Sequence, residues 1–239
     1  MSFLTPAILP ASRKELELQL QKVDPLHTLS RIQLDVVDGR FAAPASWPFT
    51  DKKDLQALLA REFEFPHLDR FSYELDVMVY EPDELIGALF EAGATRIVIH
   101  AESSTSLSRL LAAIQRQTGH EKDFAPSHLS LGLAVNIGTG LASIEPFLSQ
   151  IDFVQFMGIA QIGRQGQPFD PRVHEKIKAF HGAHPDIPMQ VDGGVSLVTA
   201  PPLLSLGVQN LVVGSALLNS PNLHATVEKF ESLVSPYGV

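Results

Sequence analysis

Short runs of β-branched and apolar residues alternate along this chain with longer stretches in which apolar positions recur at helical spacing. The short runs fall near residues 3–9, 30–37, 71–79, 95–101, 129–136, 152–157, 187–192 and 210–214, and each is predicted to be a strand. Helical patterns are predicted between them, for example over 54–63, 82–92, 106–117, 141–149 and 171–180, bounded by Pro, Gly or polar residues. A strand and a helix repeating every ~30 residues signal a parallel sheet with helical crossovers, and eight strands suffice to close it. The expected fold class is α/β, a single (β/α)8 TIM barrel. No Gly/Ser linker or low-complexity tract divides the chain, so residues 1–239 are read as one barrel domain. The irregular stretch from Thr118 to Ser127 is expected to be a surface loop.

Two segments stand out against this pattern. Ile32-Gln33-Leu34-Asp35-Val36-Val37-Asp38-Gly39 and Gln190-Val191-Asp192-Gly193-Gly194 each read as a strand ending in an aspartate and a glycine turn. Side chains alternate along a strand, so Gln33 shares a face with Asp35, Glu74 with Asp76 and Met78, and Gln190 with Asp192. Barrel enzymes place their chemistry at the carboxyl ends of the strands, where these residues are expected to converge. Strand-end aspartates can instead cap turns, and that reading is favoured for Asp38. For Asp35 and Asp192 together the functional reading is favoured, because an inward carboxylate is costly to bury without a partner; for Asp76 the two readings balance.

A second group consists of glycines after the last three strands: Gly163 and Gly166, Gly193 and Gly194, and Gly214 with Ser215. Glycine lets a ligand approach the backbone closely, and loop N–H groups bind phosphate without net positive charge. These six residues are the expected phosphate site, with Arg164 able to add a charge-assisted contact. Trp47 is read as a surface or interface anchor.

Composition narrows the partners. A net charge of −9 argues against nucleic acid or an anionic membrane. The absence of cysteine removes disulfides, thiolate nucleophiles and thiolate metal ligands. No apolar run approaches a membrane span, and the expected location is the cytoplasm.

These residues resemble the ribulose-phosphate 3-epimerase family. The resemblance runs through Thr5-Pro6-Ala7-Ile8-Leu9, Leu34-Asp35-Val36-Val37-Asp38-Gly39, Asp76-Val77-Met78-Val79 and His100-Ala101-Glu102. It continues through Met157, Gly166-Gln167-Pro168-Phe169, Val191-Asp192-Gly193-Gly194-Val195 and Gly214-Ser215-Ala216. It implies that Asp35 and Asp192 take and return the C3 proton of a pentulose 5-phosphate through an enediolate. It also implies a substrate pocket that includes Ala7, Met78, His100, Asn136 and Met157, and leaves room for a homo-oligomer. The family's divalent metal is held by those two aspartates with a histidine on strand two and another on strand three. Here those positions carry Gln33 and Asp76. The set Gln33, Asp35, Asp76 and Asp192 offers only oxygen, which suits Mg²⁺ or Mn²⁺ better than Zn²⁺. Without a cation, three close carboxylates repel, and at least one holds a proton near neutrality. No organic cofactor is expected.

Three functions are weighed. The leading one is acid/base epimerisation or isomerisation of a phosphorylated ketose. A barrel that binds sugar phosphate without turnover is the second, favoured by the replaced histidines, by Ala7 and Pro10 in place of family serines, and by a rebuilt loop over 158–166. The third is a lyase or decarboxylase of the same barrel group, which uses an Asp-x-Lys-x-x-Asp run; Met78 stands where that lysine would be and supplies no ammonium.

Overall fold

The computed structural model describes residues 3–122 and 129–234. Eight parallel strands, β1 (Leu4–Ile8), β2 (Arg31–Val37), β3 (Ser72–Met78), β4 (Ala94–His100), β5 (Ser130–Val135), β6 (Phe153–Met157), β7 (Met189–Asp192) and β8 (Asn210–Val213), pair in sequence order. Parallel pairing of β1 with β8 closes the barrel. Each strand lies within two residues of its predicted bounds, because the alternation that specified it is also what packs it. The helices α1 (Arg13–Val23), α2 (Lys52–Leu59), α3 (Asp83–Glu91), α4 (Leu107–Thr118), α5 (Arg172–Ala183), α6 (Ala200–Ser205), α7 (Ser215–Leu218) and α8 (Leu223–Val234) alternate with the strands; α7 and α8 follow β8. Residues 123–127 of the expected surface loop lie outside the described residues, and Thr118 belongs to α4, where its Oγ1 donates to the Ile114 carbonyl.

Sequence expectations need correction in two stretches, 47–63 and 141–149. The helix expected to run to Phe63 ends at Leu59, with Arg61 in the left-handed region at φ 63°. The N–H of Glu62 donates to the Ala57 carbonyl and that of Arg61 to Leu58, a left-handed cap that turns the chain inward. Phe63 and Phe65 then reach Trp47, which is buried rather than a surface anchor; its indole N–H donates to Asp54 at 2.8 Å. The second correction concerns 141–149, which forms two 3₁₀ turns, Leu141–Ser143 and Glu145–Gln150. Pro146 has no N–H to donate back along an α-helix, so the tighter turns replace it.

Alternation divides the interior in two. Leu34, Val36, Leu75, Val77, Ile97 and Ile99 point outward and join the helices in one large apolar layer. Inside the barrel, among the described residues, two small apolar groups occur, one around Val98, Phe153 and Met157 and another around Val37 and Met78. Most other inward positions are polar and buried, among them Thr5, Gln33, Asp35, Glu74, Asp76, His100, Gln155, Gln190 and Asn210. Buried polar groups are retained only when they are hydrogen-bonded, so this filling requires a network.

Candidate active site

Register brings the carboxylates together. Asp35 lies level with Asp76 across β2 and β3, and Met157 lies level with Asp192 across β6 and β7. Asp35, Asp76 and Asp192 each offer an oxygen within 4.8 Å of the others. Asp35 and Asp192 face a cleft at the carboxyl end of the barrel, also lined by Ala7, Met78 and Met157. All six glycine-loop residues, Gly163, Gly166, Gly193, Gly194, Gly214 and Ser215, line that same cleft. The tight β7 loop depends on glycine: Gly194 has φ +67°, and a Cβ there would lie 2.7 Å from the Phe169 Cα.

Gln33 binds the two cleft carboxylates to each other. Its Nε2 donates to Asp35 Oδ1 and to Asp192 Oδ2, both at 2.9 Å. Asp76 sits deeper, accepting from Gln155 Nε2 at 3.0 Å and meeting His100 Nε2 at 2.9 Å. His100 is fully buried behind Asp76, and Asn136 lies at the end of β5 with its N–H donating to Glu102 at 2.9 Å; neither lines the cleft. Asp38 caps the turn, as expected: its carboxylate accepts from the N–H groups of Arg40, Phe41 and Tyr80. Arg164, on the rim, donates from Nε to the Ala43 carbonyl at 3.0 Å.

Electrostatics separate the carboxylates from ordinary ones. Desolvation, followed by repulsion from Asp192 and Asp76, pushes the Asp35 pKa well up. Desolvation and Asp76 push Asp192 up to about 7, while the Gln33 hydrogen bond opposes both shifts. Burial disfavours a charged His100, but the adjoining Asp76 outweighs it and raises the imidazole pKa.

The donor set can hold a divalent cation. Three carboxylates converge, and Gln33, which turns its Nε2 to two of them, has a buried Oε1 with no hydrogen-bond partner that turning the amide over would present to the cluster. An all-oxygen set of this kind matches hard cations.

Sequence reading did not single out Gln155, Arg96, Asn210 or Gln165. The first three are polar residues at inward positions of otherwise apolar strands, with Gln155 in step with Met157 and Arg96 in step with His100; that alternation was the available signal. Gln165 belongs to an irregular loop, and nothing local indicates that its Nε2 crosses to the Ala7 carbonyl at 2.9 Å.

Comparison with known proteins agrees with this geometry. Residues 3–218 match the ribulose-phosphate 3 epimerase family. The chain is 29% identical over 219 residues to ribulose-phosphate 3-epimerase of Bacillus subtilis, covering 90% of this chain and 91% of that protein. With the Aquifex aeolicus ribulose-phosphate 3-epimerase it shares 26% identity over 243 residues, 98% of this chain and 97% of the other. Among solved structures, 3-hexulose-6-phosphate synthase from Salmonella typhimurium superposes with a TM-score of 0.68 at 15% identity, covering 99% of this chain and 100% of that one, a likeness of fold. Barrel, paired strand-end aspartates and family match agree: the chain belongs to the ribulose-phosphate 3-epimerase family.

Proposed function

We propose that the protein epimerises a phosphorylated ketose by moving a proton at the carbon beside the carbonyl, with Asp35 and Asp192 as the acid/base pair. The observation that carries this reading is the Gln33 amide shared by two carboxylates that face one glycine-lined cleft. Two-base proton transfer needs one partner ionised and the other protonated at working pH. Raised pKa values on both aspartates, one of them about 7, supply that condition for the pair.

In one direction, ionised Asp35 takes the proton from C3. The C–H electron pair becomes the C2–C3 double bond of an enediolate, and the C2 carbonyl oxygen takes the negative charge. Protonated Asp192 then delivers its proton to C3 from the other face, and the reverse reaction exchanges the two roles. The two N–H bonds of Gln33 stabilise whichever carboxylate is charged. Asp35, Asp76 and Asp192, with Gln33 once its amide is turned over to present Oε1 in place of those two N–H bonds, would hold the metal, Mg²⁺ or Mn²⁺ rather than Zn²⁺, which would supply Lewis-acid stabilisation of the negative oxygens. Backbone N–H groups of the 163–166, 193–194 and 214–215 loops would take the phosphate.

Asp35→Asn and Asp192→Asn test the pair. Each is expected to lower kcat by about 10² to 10⁴ with the fold intact; turnover near the parent level in either variant would remove that residue from the mechanism. The replaced histidines and Ala7 favour a second reading, a barrel that binds sugar phosphate without turnover. Its signature is phosphate-dependent binding of ribulose 5-phosphate with no proton exchange at any carbon.

A further inference from the structure

The polar filling of the barrel forms a chain of side-chain amides with one direction. Arg96 Nη2 donates to Gln190 Oε1 at 3.1 Å, and Asn210 Nδ2 donates to the same oxygen at 2.9 Å. Gln190 Nε2 then donates to Gln155 Oε1 and to Glu74 Oε1, both at 2.6 Å. Gln155 Nε2 donates in turn to Asp76 Oδ2 at 3.0 Å. Gln155, Gln190, Glu74 and Asp76 are all essentially inaccessible to solvent, so water cannot substitute for a lost partner.

The direction follows from what each group can do. A guanidinium has donors and no acceptor, so Gln190 must turn its oxygen to Arg96. Its nitrogen then faces the Glu74 carboxylate and the next amide. Gln155 must therefore present oxygen to Gln190 and nitrogen to Asp76. Flipping either amide would set donor against donor or oxygen against carboxylate in a dry interior, where an unmade hydrogen bond is most costly. Arg96 is itself anchored by Glu74 through Nε and by Ser130 at 2.9 Å, with its guanidinium over the Phe153 ring.

We propose that Gln155 is a positioning residue for Asp76, and that the chain from Arg96 through Gln190 fixes its amide so that Asp76 is held toward Asp35 and Asp192. His100 holds the other oxygen of Asp76, at 2.9 Å, so two donors from different strands determine the carboxylate plane. An aspartate on β3 has two equivalent oxygens, and its neighbours set which of them faces the cluster. The catalytic consequence rests on the function proposed above; the orientation itself does not.

Gln155→Met tests this, because it keeps the volume and removes both the donor and the acceptor. Should that variant not fold, Gln155→Asn keeps an amide but stops one methylene short of Asp76, with the same outcome expected. In a crystal structure of the variant the Asp76 carboxylate is expected to turn away from Asp35 and Asp192. Mn²⁺ binding, read from the electron paramagnetic resonance of the free ion, is expected to weaken at least about tenfold, the usual effect of losing a partner behind a metal ligand. With ribulose 5-phosphate as substrate, kcat is expected to fall while KM stays within about twofold, a split that general loosening of the fold would not give. An Asp76 unmoved in the variant crystal overturns the proposal, whatever the activity does. A turned Asp76 in a protein whose parent form shows no turnover supports the positioning role and counts against the proposed function alone.

Discussion

Gln33 touches both cleft aspartates with one nitrogen. A hydrogen bond to a charged group contributes about 1.5–3 kcal/mol, so Gln33 is large enough to matter to turnover. Gln33→Met is expected to lower kcat by about 10- to 100-fold, the same energy expressed as a rate, with the barrel still folded. Steady-state kinetics alongside a circular dichroism spectrum checks this, and an unchanged kcat would mean the shared amide is only structural. Asp35 and Asp192 were legible in the sequence as inward carboxylates near the carboxyl ends of apolar strands, Asp192 directly before the glycine turn and Asp35 in step with Gln33. The bridge between them was not legible, since it joins residues 159 positions apart and depends on barrel closure.

At the scale of the strands, the buried Glu74–Arg96 pair shows what holds the polar interior together. Removing one member of a buried ion pair leaves the other charge uncompensated and costs about 3–5 kcal/mol. Arg96→Met leaves Glu74 with Arg31 at 4.0 Å and the Gln190 amide as partners, so it is expected to destabilise the protein by up to about 3–5 kcal/mol, and by more than the surface change Arg61→Met, which breaks an exposed pair with Glu91 worth about 1 kcal/mol at most. Urea denaturation of both variants checks the difference; equal midpoints would show that the interior network carries no stability. Strand positions were readable because period-two alternation is local. Helix ends were less so: the left-handed Arg61 that stops α2 is not a residue type that announces a cap, and Pro146 was absorbed into an apolar pattern that looked helical. Gln155 and Arg96 were visible as inward polar residues, but their role required knowing which strands face across the barrel.

For the molecule as a whole, the cleft carboxylates make stability depend on pH. Asp35 and Asp192 both have folded pKa values above their ordinary 3.8, that of Asp192 at about 7. Between about pH 4 and 7 the folded state therefore holds protons that the unfolded state has released, and stability falls as pH rises through that window. The raised His100 pKa acts in the same direction above about pH 6.5, because the unfolded chain loses that proton first. Melting temperatures in EDTA are expected to decline from pH 4.5 to 7.5, with a shallower decline in Asp192→Asn. Mn²⁺ is expected to restore stability at the upper end by binding only the folded cluster. A pH-independent melting temperature would show that the carboxylates are not strained by one another.

The function proposed for this barrel requires its altered cluster to remove a proton from a ketose phosphate. Proton NMR of D-ribulose 5-phosphate in deuterated water with Mn²⁺, with and without the protein, tests it most directly. The expected result is protein-dependent replacement of the C3 hydrogen by deuterium, lost in Asp35→Asn and Asp192→Asn. Binding of the sugar phosphate with no exchange at C3 would rule out proton abstraction and leave the barrel a binding protein for this ligand.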